Sequence, residues 1–132
     1  MLTGGCYCGA IRYEATEPAI NQTTCHCTVC RGTTGAPCVA WFSVQASQFK
    51  LLSGNPTQFR ASAHATRAFC PTCGTQLTFS ADASPDEIDV TTCSLDEPVR
   101  MPPHDHTYTS SQLAWLKLAD GIPQFAHSRS EG

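Results

Sequence analysis

Charge is scarce in this chain. Charged residues fill 14% of its 132 positions, and the formal net charge is -3. The few basic side chains are scattered, so no basic face is offered and no nucleic-acid partner is expected. Long apolar runs are missing too. None approaches the ~18 residues of a membrane-spanning helix, so no membrane partner is expected. No basic stretch with an apolar segment behind it opens the sequence, so a cytoplasmic compartment is expected. There is no internal repeat and no low-complexity tract, which excludes repeat arrays and flexible linkers. A strong helical pattern is absent as well.

What the chain has in quantity is cysteine. It holds nine, an odd number. In a reducing compartment, clustered thiols point to metal rather than to disulfides. The clusters are three. Cys6-Tyr7-Cys8 lies in a glycine frame, and Cys70-Pro71-Thr72-Cys73 is followed directly by Gly74. Neither pair can complete a tetrahedron alone; together they supply the four thiolates of a closed zinc site. The residues after Cys73 alternate like a strand, which disfavours a redox Cys-x-x-Cys at a helix N-terminus.

The third cluster is Cys25-His26-Cys27-Thr28-Val29-Cys30. It offers three thiols with no fourth cysteine close in sequence. A zinc ion held by three protein ligands keeps one position for water or substrate, as reactive sites do. Polar residues precede the cluster, and Arg31-Gly32-Thr33-Thr34-Gly35 follows it. It is therefore read as lying between loops. Cys38 and Cys93 stand alone and are read as packing residues. His64 is read as a surface residue. His104 and His106 form a His-x-His pair that could approach the open site.

Period-two alternation marks strands near 10–15, 48–52, 58–61, 65–69, 76–80 and 87–92. Residues 36–44 are apolar on both faces, which fits a central strand. Residues 110–120 are ambiguous between helix and extended chain, with Trp115 expected to pack on the body. These segments predict a mainly β fold in one domain over residues 1–125, with a polar, frayed tail over 126–132.

The three cysteine clusters, in this order, resemble the glutathione-dependent formaldehyde-activating enzyme family. The stretch from His106 to Trp115 and the run Asp120-Gly121-Ile122-Pro123-Gln124-Phe125 resemble that family's C-terminal portion. Gln112 and Ala114 stand where many relatives carry a basic residue and a proline. The resemblance implies an Mss4-like β-tent of short antiparallel strands stapled by zinc. It implies two zinc ions, a structural one at Cys6, Cys8, Cys70 and Cys73 and a catalytic one at Cys25, Cys27 and Cys30. The implied reaction joins formaldehyde to a small thiol such as glutathione and reverses it, a carbon–sulfur lyase chemistry. A base for the adduct's hydroxyl proton is expected among His26, His104 and His106, with His26 and His106 named as catalytic candidates. The competing reading is a non-enzymatic Mss4-like module in which zinc is only a staple. It expects the fourth corner at Cys25, Cys27 and Cys30 to be filled by the protein, or the site to be empty.

Overall fold

Short extended segments pair into two sheets. A computed structural model describes residues 1–129. In chain order the elements are β1 (Leu2–Gly5), β2 (Arg12–Ala15), β3 (Ile20–Cys25), α1 (Thr28–Thr34), β4 (Val39–Gln45), β5 (Phe49–Ser53), β6 (Thr57–Ser62), β7 (Ala65–Phe69), β8 (Gln76–Ala81), β9 (Glu87–Thr91) and β10 (Asp105–Thr107). A three-stranded sheet runs β1-β2-β5, and a seven-stranded sheet runs β10-β3-β4-β9-β8-β7-β6. The mainly β class is as expected. One pairing departs from the antiparallel expectation: β10 lies parallel to β3. No described helix is long and apolar enough to cross a membrane.

The main core is shared by the two sheets. Leu2, Ile11, Tyr13 and Ala15 meet Phe42, Val44, Leu77 and Val90. Tyr13 is fully buried, stacks on Phe49 at 5.1 Å between ring centroids, and satisfies its hydroxyl on Ser94 Oγ at 2.7 Å. Burying an aromatic ring while its polar tip finds a partner captures the apolar gain without an orphaned donor. Outward on the same strand, Arg12 grips Asp96 with two parallel hydrogen bonds of 2.9 and 2.5 Å, and its guanidinium holds the Asp96 carboxyl well below the usual range.

β4 is an inner strand of the large sheet, as its doubly apolar pattern predicts. Its two faces do different work. Phe42 and Val44 enter the main core, while Trp41 joins Cys25 and Cys30 in a second cluster on the opposite face.

Four regions depart from the sequence reading. β3 was expected as a polar lead-in; it is a strand whose Thr23 and Cys25 face inward. Its polarity hid it, because Thr23 is satisfied on Thr107 Oγ1 at 3.1 Å rather than packed in apolar surroundings. The loop expected over Arg31 to Gly35 is instead mostly helix, the second half of α1. Cys27 caps its start by accepting the Cys30 N–H at 3.2 Å, and Gly35 ends it at φ 70° with its N–H on Arg31 O. Seven residues are too few to show a helical period.

Trp115 is 68% exposed instead of packed. The bonds around it are local, Leu116 N to Leu113 O and Lys117 Nζ to Ala114 O, so nothing pulls the indole onto the body. Residues 126–129 of the expected frayed tail are docked. Tyr108 N donates to His127 O, Ser110 N donates to Ala126 O, and Arg129 clamps Asp105 at 2.8 and 2.9 Å. Residues 130–132 of that tail lie outside the described residues.

Two glycines separate local strain from steric demand. Gly54 has φ 80°, and a Cβ there would stand 2.4 Å from Ala10 O. Gly35 has φ 70° but open space around it. Gly54→Ala is expected to cost more than 2 kcal/mol or so, and Gly35→Ala nearer 1 kcal/mol, the left-handed penalty alone. Denaturant midpoints of the two variants check this difference; equal losses would contradict it.

Candidate metal centres and the cavity beside them

Two knuckles of the same construction bring the first four sulfurs together. In one, Cys6 N donates to Ile11 O and Gly9 N to Cys6 O; in the other, Cys70 N donates to Thr75 O and Gly74 N to Cys70 O. Gly9 and Gly74 take up φ 83° and 82°, the left-handed turn that each knuckle needs. The ligand atoms of Cys6, Cys8, Cys70 and Cys73 lie within 4.8 Å of one another. Cys6 and Cys8 sulfurs are 3.5 Å apart, and Cys8 and Cys70 sulfurs 3.8 Å. Four sulfurs placed ~2.3 Å from a tetrahedral zinc stand about 3.8 Å apart, so the set fits that ion. Backbone N–H groups of Ile11 and Thr72 point at Cys6 Sγ and Cys70 Sγ, as they would toward thiolates.

The second set is built at the junction of β3 and α1. Cys25 closes the strand, Cys27 caps the helix, and Cys30 lies in its first turn. Their sulfurs also lie within 4.8 Å of one another, with Cys25 and Cys30 at 3.5 Å. No fourth His, Cys, Asp or Glu joins them among the described residues. Cys25 and Cys30 are buried, and Cys27 is half-buried. Arg67 Nη2 approaches Cys30 Sγ at 3.5 Å. Hydrogen bonds from Cys25 and Cys30 pull the Cys27 thiol far down, and the same contact with Cys27 pushes Cys25 up. Three thiols in such contact share their protons unequally, and a cation among them would release those protons.

These three cysteines form part of the wall of a cavity of ≈ 830 Å³. Trp41, Phe79, Arg67, Ser43 and Asp89 line it as well. Strand register explains why. Arg67 pairs with Phe79, Phe79 with Asp89, and Asp89 with Ser43, so the four stand in one row across β7, β8, β9 and β4. Neighbours in a row share a face of the sheet.

The glutathione-dependent formaldehyde-activating enzyme family matches residues 1–111. The chain belongs to this family. A relative in Schizosaccharomyces pombe, named an uncharacterized lyase, is 32% identical over 77 residues. That match takes in 58% of this chain and 56% of the relative, so it spans just over half of the relative's length. A Rhodobacter sphaeroides protein of known crystal structure shares the fold, with a TM-score of 0.57, 22% identity, and coverage of 92% of this chain and 98% of that one.

In this member of the family the histidines stand apart from the cavity. His26 donates its backbone N–H to Thr107 O, and its ring is fully buried. His26 Nε2 lies 2.9 Å from His106 Nδ1, and His106 Nε2 lies 2.7 Å from Asp120 Oδ2. Burial, then the neighbouring His106, lowers the His26 pKa. Neither ring lines the cavity, and His104 is exposed elsewhere. The contact between the two histidines joins the end of β3 to β10, and the rings lie outside the cavity lining. Gln112 is spent on Leu116 O at 2.8 Å and does not line the cavity either. Cys38 is half-buried and Cys93 is exposed, so Cys93 is not the packing residue expected. His64 is exposed, as read.

Sequence reasoning missed Asp89 and Arg67. Each looked like the polar half of an alternating strand. Burial pushes the Asp89 carboxyl up to about 6, against the opposing hydrogen bond from Ser43 and with the Glu87 charge adding to the rise. Arg67 is 4% exposed; its guanidinium sits 5.0 Å from the Phe79 ring centroid and 5.7 Å from that of Trp41, with Nε unpartnered.

Asp89 carries a stability consequence. Its folded pKa lies above the ordinary value of 3.8. The folded state therefore binds the proton more tightly than the unfolded chain. The resulting penalty grows as pH rises from the unfolded value and is complete above the folded one. Asp89→Asn keeps an acceptor for Ser43 and removes the charge. Relative to wild type, its stability is expected to gain about 1–2 kcal/mol between pH 5 and 8. Paired denaturation curves at the two pH values measure this; a constant difference would show that Asp89 is not strained by burial.

Proposed function

We propose that this chain is a zinc-dependent carbon–sulfur lyase that joins formaldehyde to a small thiol such as glutathione and reverses the reaction. The observation that carries the reading is the open trio: Cys25, Cys27 and Cys30 converge on a cavity wall with no fourth protein ligand among the described residues. The competing module reading expects that corner to be filled from the protein or the site to be empty. Family membership and the lyase name of the fission-yeast relative support an enzyme.

Cys6, Cys8, Cys70 and Cys73 would hold a structural zinc, and Cys25, Cys27 and Cys30 a second. When bound, the second ion supplies stabilisation of a substrate thiolate at neutral pH. Three cysteine thiolates outweigh a dication by one charge. The guanidinium of Arg67 beside Cys30 restores neutrality, so a further thiolate would leave the group with a single net negative charge rather than two. Trp41 and Phe79 shield that end of the cavity from water, which strengthens each of these interactions.

In synthesis, the thiolate sulfur attacks the formaldehyde carbon. A C–S bond forms as the C=O π bond opens onto oxygen, and that oxygen takes a proton from solvent to become the hydroxyl. The lyase direction reverses both events. His26 and His106 contribute by position, fixing Cys25 and Cys27 through β3 and β10.

Native mass spectrometry and turnover together test the reading. Wild type should carry two zinc ions per chain. Cys27→Ser should carry one, keep its fold, and lose turnover of S-(hydroxymethyl)glutathione by at least about a hundredfold. Cys8→Ser should lose the fold as well. A Cys27→Ser enzyme that turns over normally would sink the proposal.

A further inference from the structure

The cavity has two ends of opposite character. At one end Arg67 touches Cys30 beside the open trio. Asp89 lies on the same face and in the same cross-strand row, two strands away through Phe79. Adjacent strands are about 4.8 Å apart, so the Arg67 and Asp89 positions are separated by roughly 10 Å. Phe79 stands between them in the row, and the Trp41 ring from β4 meets it edge-on with centroids 6.3 Å apart, so the two rings form an apolar surface beside the row.

Asp89 has no direct ion pair among the described residues, although the Arg129 and Arg67 charges act on it from farther off. Ser43 Oγ donates to Oδ1 at 2.6 Å, and Asn21 Nδ2 lies behind that hydroxyl at 3.4 Å. Among the described residues no ion pair reaches it. Arg129 is committed to Asp105 by two hydrogen bonds. Arg67 is engaged with Cys30 and Thr33, and it leaves its own Nε buried and unpartnered in the same cavity wall. Asp89 is half-buried; an unpaired carboxylate held partly out of water is costly, and a ligand cation beside it reduces that cost.

We propose that Asp89 is the specificity residue of the cavity: it binds the protonated amine of a thiol substrate whose amine lies far from its sulfur. This rests on the open-trio reading given above. With the sulfur at the trio, an ammonium must stand on the order of 7–10 Å away to reach Asp89, about the length of two to three extended residues. The γ-glutamyl amine of glutathione meets that requirement. Free cysteine does not, since its amine adjoins its sulfur. The methylene chain between the two groups of glutathione lies over Trp41 and Phe79.

The test measures binding to the zinc-loaded full chain by calorimetry. The ligands are glutathione, its N-acetyl derivative, S-methylglutathione and N-acetyl-S-methylglutathione. On wild type, acetylating the amine should weaken binding about tenfold or more in both the free-thiol and the S-methyl pair. On Asp89→Asn, the amine and acetylated forms should bind alike. Equal binding of the two forms to wild type overturns the proposal, as does an unchanged preference in the variant or no binding of glutathione at millimolar concentration. The wild-type comparison decides the matter even if the variant fails to fold. The sulfur reading is judged separately. If glutathione and S-methylglutathione bind equally while the amine preference persists, the open trio is not the sulfur site and Asp89 keeps its role.

Discussion

Thiolates brought into contact repel one another unless a cation or a proton stands among them. This constraint governs the molecule. Seven of its sulfurs are gathered into two sets, each within 4.8 Å, and none of the nine cysteines forms a disulfide. The closed set spans 62 positions between Cys8 and Cys70. Closing a loop of that length costs the chain on the order of 4 kcal/mol in entropy. A four-thiolate metal site can offset such a cost in a domain whose apolar core is modest. The knuckles also fix where the small sheet sits, because Cys6 and Cys70 belong to the same buried cluster as Tyr13 and Phe42.

The large sheet separates structure from chemistry by its faces. Phe42, Val44 and Val90 point into the core, and Trp41, Ser43 and Asp89 point into the cavity. A slip of one residue in β9 would exchange Val90 for Asp89 and bury a carboxylate among apolar side chains. The apolar face thereby sets the register, and the register puts the polar row in place. The cavity face in turn carries features that folding alone would not favour: a raised carboxyl at Asp89, an unpartnered guanidinium nitrogen at Arg67 and three crowded thiols. Such costs concentrate where a ligand can offset them.

The histidines show how a plausible chemical assignment depends on direction. His26 lies inside the cysteine stretch, yet in β3 and its extension successive side chains alternate, so a residue between two inward thiols points away. It meets His106, which meets Asp120, and this chain ties the parallel β3–β10 pair together behind the site. The return of residues 126–129 along β10 completes that wall through the Arg129–Asp105 clamp.

Local pattern alone determined much of this protein. Cysteine spacing announced both sulfur sets, because a metal's coordination number and the bite of short Cys-x-Cys and Cys-x-x-Cys links are properties of neighbouring residues. Alternation announced β2 and β5 to β9; burial follows it in β2, whereas β5 and β6 are mostly exposed. The tertiary structure alone decided the rest. It turned Asn21 to Cys25 into a strand and 28–34 into a helix, where neither polarity nor length leaves a periodic signal. It set His26 and His106 behind the thiols and drew Arg67, Phe79, Asp89 and Ser43 into one row beside them. Those four residues lie on different strands far apart in sequence, and only hydrogen-bonded register, which no local pattern encodes, makes them neighbours.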